Sequence, residues 1–176
     1  MEACPEKRAA FSQFIANISK ANLVYIDESG IDPTDRKQYG WGKKGQALDG
    51  RKSGKIYQRT NIIAGYVDGE TIAPLVFNGS CDTKLVVQWV QEFLIKELKP
   101  GQVVIMDNAS FHKSEKIKEA IESVGCKLIY LPPYSPDLNP IEKFWANMKR
   151  WIRSHFDLFG SLLDSLYFFF NYAISI

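Results

Sequence analysis

Apolar residues fall along the chain in blocks whose spacing changes, and each spacing predicts an element. "NLVYID" (22–27) and "QVVIM" (102–106) are apolar runs of strand length. "IYQRTNIIAGYVDG" (56–69) and "ETIAPLVFNG" (70–79) read as two strands meeting at Asp68-Gly69, a strong hairpin dipeptide. A helix follows, with Asp82 as its cap, Leu85, Val86, Trp89, Val90, Phe93 and Leu94 on its apolar face, and Pro100-Gly101 as its stop. Ser114 is placed to cap a second helix, where Ile117, Ala120, Ile121 and Val124 recur at helical spacing before Gly125. "KLIYL" (127–131) is a short strand, and "PPYSPDLNP" (132–140) bars regular structure until Asn139. From there a helix is expected to about His155, with Ile141, Trp145, Met148, Ile152 and His155 on one side.

The ends of the chain add less. Residues 5–18 read as a short polar helix, so residues 1–21 are expected to be a lead-in and 22–176 the domain. Leu158 to Ile176 is aromatic-rich, but Ser161, Asp164, Ser165, Asn171 and Ser175 fall roughly on one side, which favours an amphipathic helix over a membrane span. Three early strands suit an antiparallel meander, and two later strands separated by helices suit parallel crossovers. The expected fold class is α/β, a mixed five-stranded sheet flanked by helices.

Charge changes this picture more than composition does. The net charge is only +2, yet residues 36–59 hold eight bases against Asp49 alone. Residues 143–153 add Lys143, Lys149, Arg150 and Arg153 with no acid. Such segregation favours a polyanionic partner, with Lys43, Lys44, Arg51, Lys52, Lys149 and Arg150 as candidate phosphate contacts. A solvated basic loop is the plainer reading of the first block. Cys4, Cys81 and Cys126 show no disulfide or metal-knuckle spacing, and two histidines are too few for a histidine-rich zinc site, so a reducing cytoplasm is expected.

"VIMDNASFHKS" (104–114) raises the question of chemistry, because a core strand gives way to Asp107 and Asn108. Ligands of open α/β sheets sit at the carboxyl ends of strands. Asp27 is expected to end the first strand as Asp107 ends the fourth, and pairing of those strands would set the two side by side. A helix crossing that edge would bring in Glu142. Three converging carboxylates repel one another unless cations neutralise them, and all-oxygen ligation selects Mg²⁺ or Mn²⁺. Two such ions roughly 4 Å apart support phosphodiester cleavage. Each residue also has a structural reading: turns at Asp27 and Asp107, a helix-capping box from Asn139 to Glu142, and a merely hydrogen-bonded His112.

The segments "YIDESG" (25–30), "YGWGKKGQ" (39–46), "IMDNASFH" (105–112) and "LPPYSPDLNPIEKFWANMKR" (131–150) together resemble the catalytic domain of Tc/mariner-superfamily DDE transposases. The resemblance is strongest to the bacterial insertion-sequence branch, the "IS six-thirty" group, and the 34 residues between Asp107 and Glu142 match that group's interval. It implies a ribonuclease H-like (retroviral-integrase-like) fold and metal-dependent cleavage and transfer of DNA strands, commonly into TA. It also implies Asp27, Asp107 and Glu142 as catalytic residues holding Mg²⁺ or Mn²⁺, with Asn108 and His112 in support. The basic residues then become DNA contacts, and a homodimer pairing two element ends is expected in a bacterial cytoplasm. Only 21 residues precede the first strand, too few for the helix-turn-helix region of such enzymes, so an isolated catalytic domain, or one half of a split element whose helix-turn-helix part is separately encoded, is expected. An idle fragment that regulates an intact transposase, or a host nuclease of the same fold, are the alternatives.

Overall fold

The computed structural model describes residues 4–31 and 59–173. Five strands form one sheet: β1 (Leu23–Ile31), β2 (Thr60–Val67), β3 (Glu70–Asn78), β4 (Val103–Met106) and β5 (Lys127–Tyr130), in the order β3-β2-β1-β4-β5. The first three are antiparallel neighbours, and β4 and β5 add in parallel on the other side of β1. The mixed sheet expected from the element order is the one observed. Helix α1 (Pro5–Ala16) precedes the sheet. Helix α2 (Thr83–Trp89) runs through a π-helical turn (Val90–Leu94) into the single turn α3 (Ile95–Glu97). Then come α4 (Glu115–Ser123), α5 (Ile141–His155) and α6 (Leu162–Phe168).

Strand alternation sorts the core into two layers. Leu23, Tyr25, Val103 and Ile105 share one cluster with Trp145, Met148 and Ile152 of α5. Val24, Ile26, Val104 and Met106 share the other with Val86 and Trp89 of α2 and Ile117 and Ile121 of α4. Because successive side chains of a strand point to opposite faces, Asp27 belongs to the α5 side and Glu28 to the α2/α4 side.

Local signals hold where they need no distant partner. Asp68 and Gly69 take φ 47° and 94°, the paired positive values of a tight hairpin turn, and the Asp82 carboxylate accepts from Leu85 N–H at 2.8 Å as an N-cap. β3 carries an extra residue opposite Ile63–Gly65, where Ala73 takes φ 49° and its carbonyl accepts from Trp89 Nε1–H at 2.8 Å. Ser114 occupies the N-cap position of α4 but makes no side-chain cap bond.

Two expectations need correction. β1 does not stop at Asp27: Glu28, Ser29 and Gly30 pair with Ile63, Ile62 and Asn61 of β2, so cross-strand bonds replace the expected turn. The C-terminal helix buries Leu162 and Leu166 as an amphipathic helix does, but its two sides are not the expected ones. Ser165 is buried, its hydroxyl donating to Ser161 O at 3.0 Å, while Leu163, Tyr167 and Tyr172 are exposed. Helix α1 packs on the domain: Phe11 is buried in the α5-side core and Arg8 clasps Asp137 of the proline-rich loop through two bonds of 2.9 and 2.5 Å. Tyr39, Trp41, Lys43, Lys44, Arg51 and Lys52 lie outside the described residues. Among the described residues no helix is long and apolar enough to cross a membrane.

Candidate active site

The parallel ladder of β1 and β4 pairs Leu23 with Val103, Val24 with Val104 and Tyr25 with Ile105, then ends. Two residues further on, at the same parity, stand Asp27 and Asp107. β1 continues past this point on its β2 side alone, so Asp27 lies mid-strand beside the open end of β4. Both aspartates line one cleft of about 480 Å³ with Asn108, Tyr134, Asn139 and Glu142. The three expected carboxylates and Asn108 are therefore brought together from β1, the β4 exit and α5.

The helix-capping reading of Glu142 does not describe this site. α5 begins at Ile141 with Pro140 as its N-cap residue and no side-chain cap bond. Asn139, the expected cap, is buried with an Oδ1 that finds no partner among the described residues. Glu142 is exposed in the first helical turn, in the cleft wall.

The aspartates differ sharply in environment. Asp27 is 9% exposed, and its carboxyl is pushed up from 3.8 to about 8, first by burial and then by the charges of Glu142 and Glu28. Its Oδ2 accepts from Trp145 Nε1–H at 3.2 Å. Burial also acts upward on Asp107, but hydrogen bonds from His112 and from Ala109 N–H outweigh it and hold this carboxyl below its ordinary range. His112 is fully buried, neither at the surface nor in the cleft lining. Burial favours its neutral form, yet hydrogen bonds to Asp107 and Glu28 and their charges carry it up to about 9. The mutual repulsion expected of all three carboxylates thus falls chiefly on Asp27.

Among the described residues no three His, Cys, Asp or Glu side chains are drawn into a preformed cation cage. The donors nonetheless fit a hard divalent ion: they are oxygens, they share one cleft, and Asp27 is held neutral partly by Glu142, a penalty that a cation reverses. Of the candidate phosphate contacts, Lys149 is half-buried. Burial lowers its pKa, the charges of Glu142 and Asp27 raise it and those of Arg153 and Arg59 lower it, and it stands on α5 about two turns beyond Glu142. Arg150 is exposed and donates to Asn147 Oδ1 at 3.4 Å. Glu28 and Tyr134 were absent from the candidates. Tyr134 is 64% exposed in the cleft wall and holds φ 55°, a backbone region that bulky residues seldom adopt. The proline spacing marked the loop but not that conformation.

A sequence profile described as DDE superfamily endonuclease matches residues 22–162, and the chain belongs to that family. Over 75 residues it is 33% identical to a Sinorhizobium fredii (strain NBRC 101917 / NGR234) protein, "Uncharacterized protein y4pE/y4sA", a match covering 41% of this chain and 53% of that one. Its fold superposes on Mos1 transposase in a paired-end complex with the left transposon end, with TM-score 0.70 and 16% identity, over 99% of this chain and 56% of that one. The mariner Mos1 paired-end complex with Mg gives TM-score 0.65 at 16% identity, over 82% and 46%. At such identities the likeness is one of fold, the ribonuclease H-like fold expected from the sequence. The chain spans about half the length of these proteins.

Asp27 makes stability depend on pH in the metal-free protein. Its folded value is raised, so the native state keeps a proton that the unfolded chain has lost, and its stabilising contribution fades as pH climbs from 3.8 to about 8. Asp27→Asn removes that dependence. In EDTA the mutant's Tm is expected to exceed that of wild type at pH 8 and to converge with it near pH 4. A Tm difference that stays constant across this range contradicts the assignment.

Proposed function

We propose that this domain cleaves and transfers DNA strands during movement of a bacterial insertion sequence, using Mg²⁺ or Mn²⁺ held by Asp27, Asp107 and Glu142. The observation that carries the reading is the shared cleft, in which carboxylates from three separate elements meet while Glu142 is excused from capping its helix. The Mos1 complexes, one with a transposon end and one with Mg, support DNA as partner and a divalent ion as cofactor. Bound ions polarise a phosphoryl oxygen and lower the pKa of the attacking oxygen. The chain's own residues supply direction: β1 and β4 fix two carboxylates and α5 the third, while Lys149 offers positive charge beside them for a phosphate. In cleavage, water oxygen bonds to phosphorus and the strand's 3′ oxygen leaves. In transfer, that 3′-hydroxyl attacks a target phosphate, expected at TA, and a target 3′ oxygen leaves. A homodimer would pair two element ends.

Two outcomes follow. Glu142→Gln keeps shape and polarity but forfeits charge. Cleavage of a supercoiled substrate in Mn²⁺ is expected to fall at least about a hundredfold, roughly 2.7 kcal/mol of transition-state stabilisation, with Tm in EDTA unchanged. Near-wild-type cleavage would remove Glu142 from the site. DNA binding by the domain is expected to be nearly sequence-blind and dominated by phosphate contacts. Neutralising about 4 to 6 phosphates gives a log–log salt slope of roughly −4 to −5, which Lys43→Ala with Lys44→Ala makes shallower. Salt-independent binding, or strong preference for one duplex, contradicts this.

A further inference from the structure

Glu28 follows Asp27 and so points to the opposite face of β1, away from the cleft carboxylates. It is not idle there. Its side chain is 16% exposed, and Oε1 meets His112 Nε2 at 2.6 Å and accepts from Cys81 Sγ at 3.5 Å. The other ring nitrogen of His112, Nδ1, meets Asp107 Oδ1 at 2.5 Å. The imidazole is fully buried and lies edge-on to Phe111, with ring centroids 4.5 Å apart. Tyr130 Oη donates to the His112 carbonyl at 3.1 Å, pinning the turn that carries the ring to β5. Asp107 Oδ1 also accepts from Ala109 N–H at 2.9 Å, whereas no hydrogen bond to Oδ2 occurs among the described residues. One oxygen is thus committed to the protein and one remains for a ligand.

We infer that Glu28 and His112 form a strut at the end of β4 that aims Asp107: His112 positions the carboxylate, and Glu28 fixes the ring of His112. The inference rests on the proposed role of Asp107 as a cation ligand and adds that Glu28, although adjacent to Asp27, is not a ligand. Carboxylates that hold metals are themselves oriented by hydrogen bonds, and loss of such a partner weakens metal binding about 10- to 100-fold. A residue acting only through another also shows a characteristic non-additivity, since removing both costs no more than removing the intermediary.

The test is Mn²⁺ affinity, read from the electron paramagnetic resonance signal of free Mn²⁺, with melts in EDTA to verify folding. His112→Ala is expected to weaken binding about 10- to 100-fold. His112→Asn, which keeps a donor toward Asp107, recovers part of that loss and serves if the alanine variant does not fold. Glu28→Ala weakens binding, Glu28→Gln restores it by keeping an acceptor for Nε2, and Glu28→Ala with His112→Ala together match His112→Ala alone. Unchanged affinity in folded His112 variants overturns the inference. So does additivity in the double variant, or loss of binding in Glu28→Gln as complete as in Asp107→Asn, since Glu28 would then be a ligand. Wild type that binds no Mn²⁺ overturns the proposed function and this inference with it, whereas tight wild-type binding with insensitive variants overturns the inference alone.

Discussion

The parallel register of β1 on β4 governs where the two aspartates of the cleft stand. Tyr25 opposite Ile105 sets Asp27 beside Asp107 and turns both toward α5. A slip of one residue would send Asp27 to the α2/α4 face and bring Glu28 to the cleft. What prevents the slip is burial on both sides: Val24, Ile26, Val104 and Met106 are wholly enclosed on one face, and Ile105 is equally enclosed on the other. Burying each such side chain contributes roughly 1.5–3 kcal/mol, so any misregister exposes several at once. The hydrophobic core thereby directs side chains whose own preferences would scatter them.

Within that frame the two aspartates are treated in opposite ways. Asp107 has hydrogen-bond donors and stays readily ionised. Asp27 is buried beneath Trp145 and near Glu142, and without a cation it is driven toward its neutral form. A cation held there as proposed would meet Asp107 already ionised and would draw the proton from Asp27, so binding and proton release would be coupled.

Much of this was legible along the chain, and the reasons are local. The Asp68-Gly69 turn, the Asp82 cap and the strand ending before Asp107 depend on residues near each other in sequence, and all three stand where the pattern put them. The cleft set of Asp27, Asp107, Asn108 and Glu142 was also legible, from the resemblance carried by the motifs around those residues. Features that require a distant partner were not. β1 runs on through Glu28, Ser29 and Gly30 because β2 pairs with it, although those residues taken alone favour a turn. Glu28 gained no role from its neighbours, because its partner His112 is 84 positions away. α6 turns Tyr167 and Leu163 outward because Leu162, Ser165 and Leu166 fit against the core, a choice that hydropathy spacing did not reveal.

The open edge between β1 and β4, completed by α5, is the proposed cation site. It is tested most directly by anomalous diffraction from crystals of this domain soaked in Mn²⁺. An anomalous peak is expected in the cleft, within roughly 2.5 Å of carboxylate oxygens of Asp27 and Asp107, with Glu142 drawn toward it. A cleft without anomalous density at saturating Mn²⁺, or a peak held by other side chains, contradicts it.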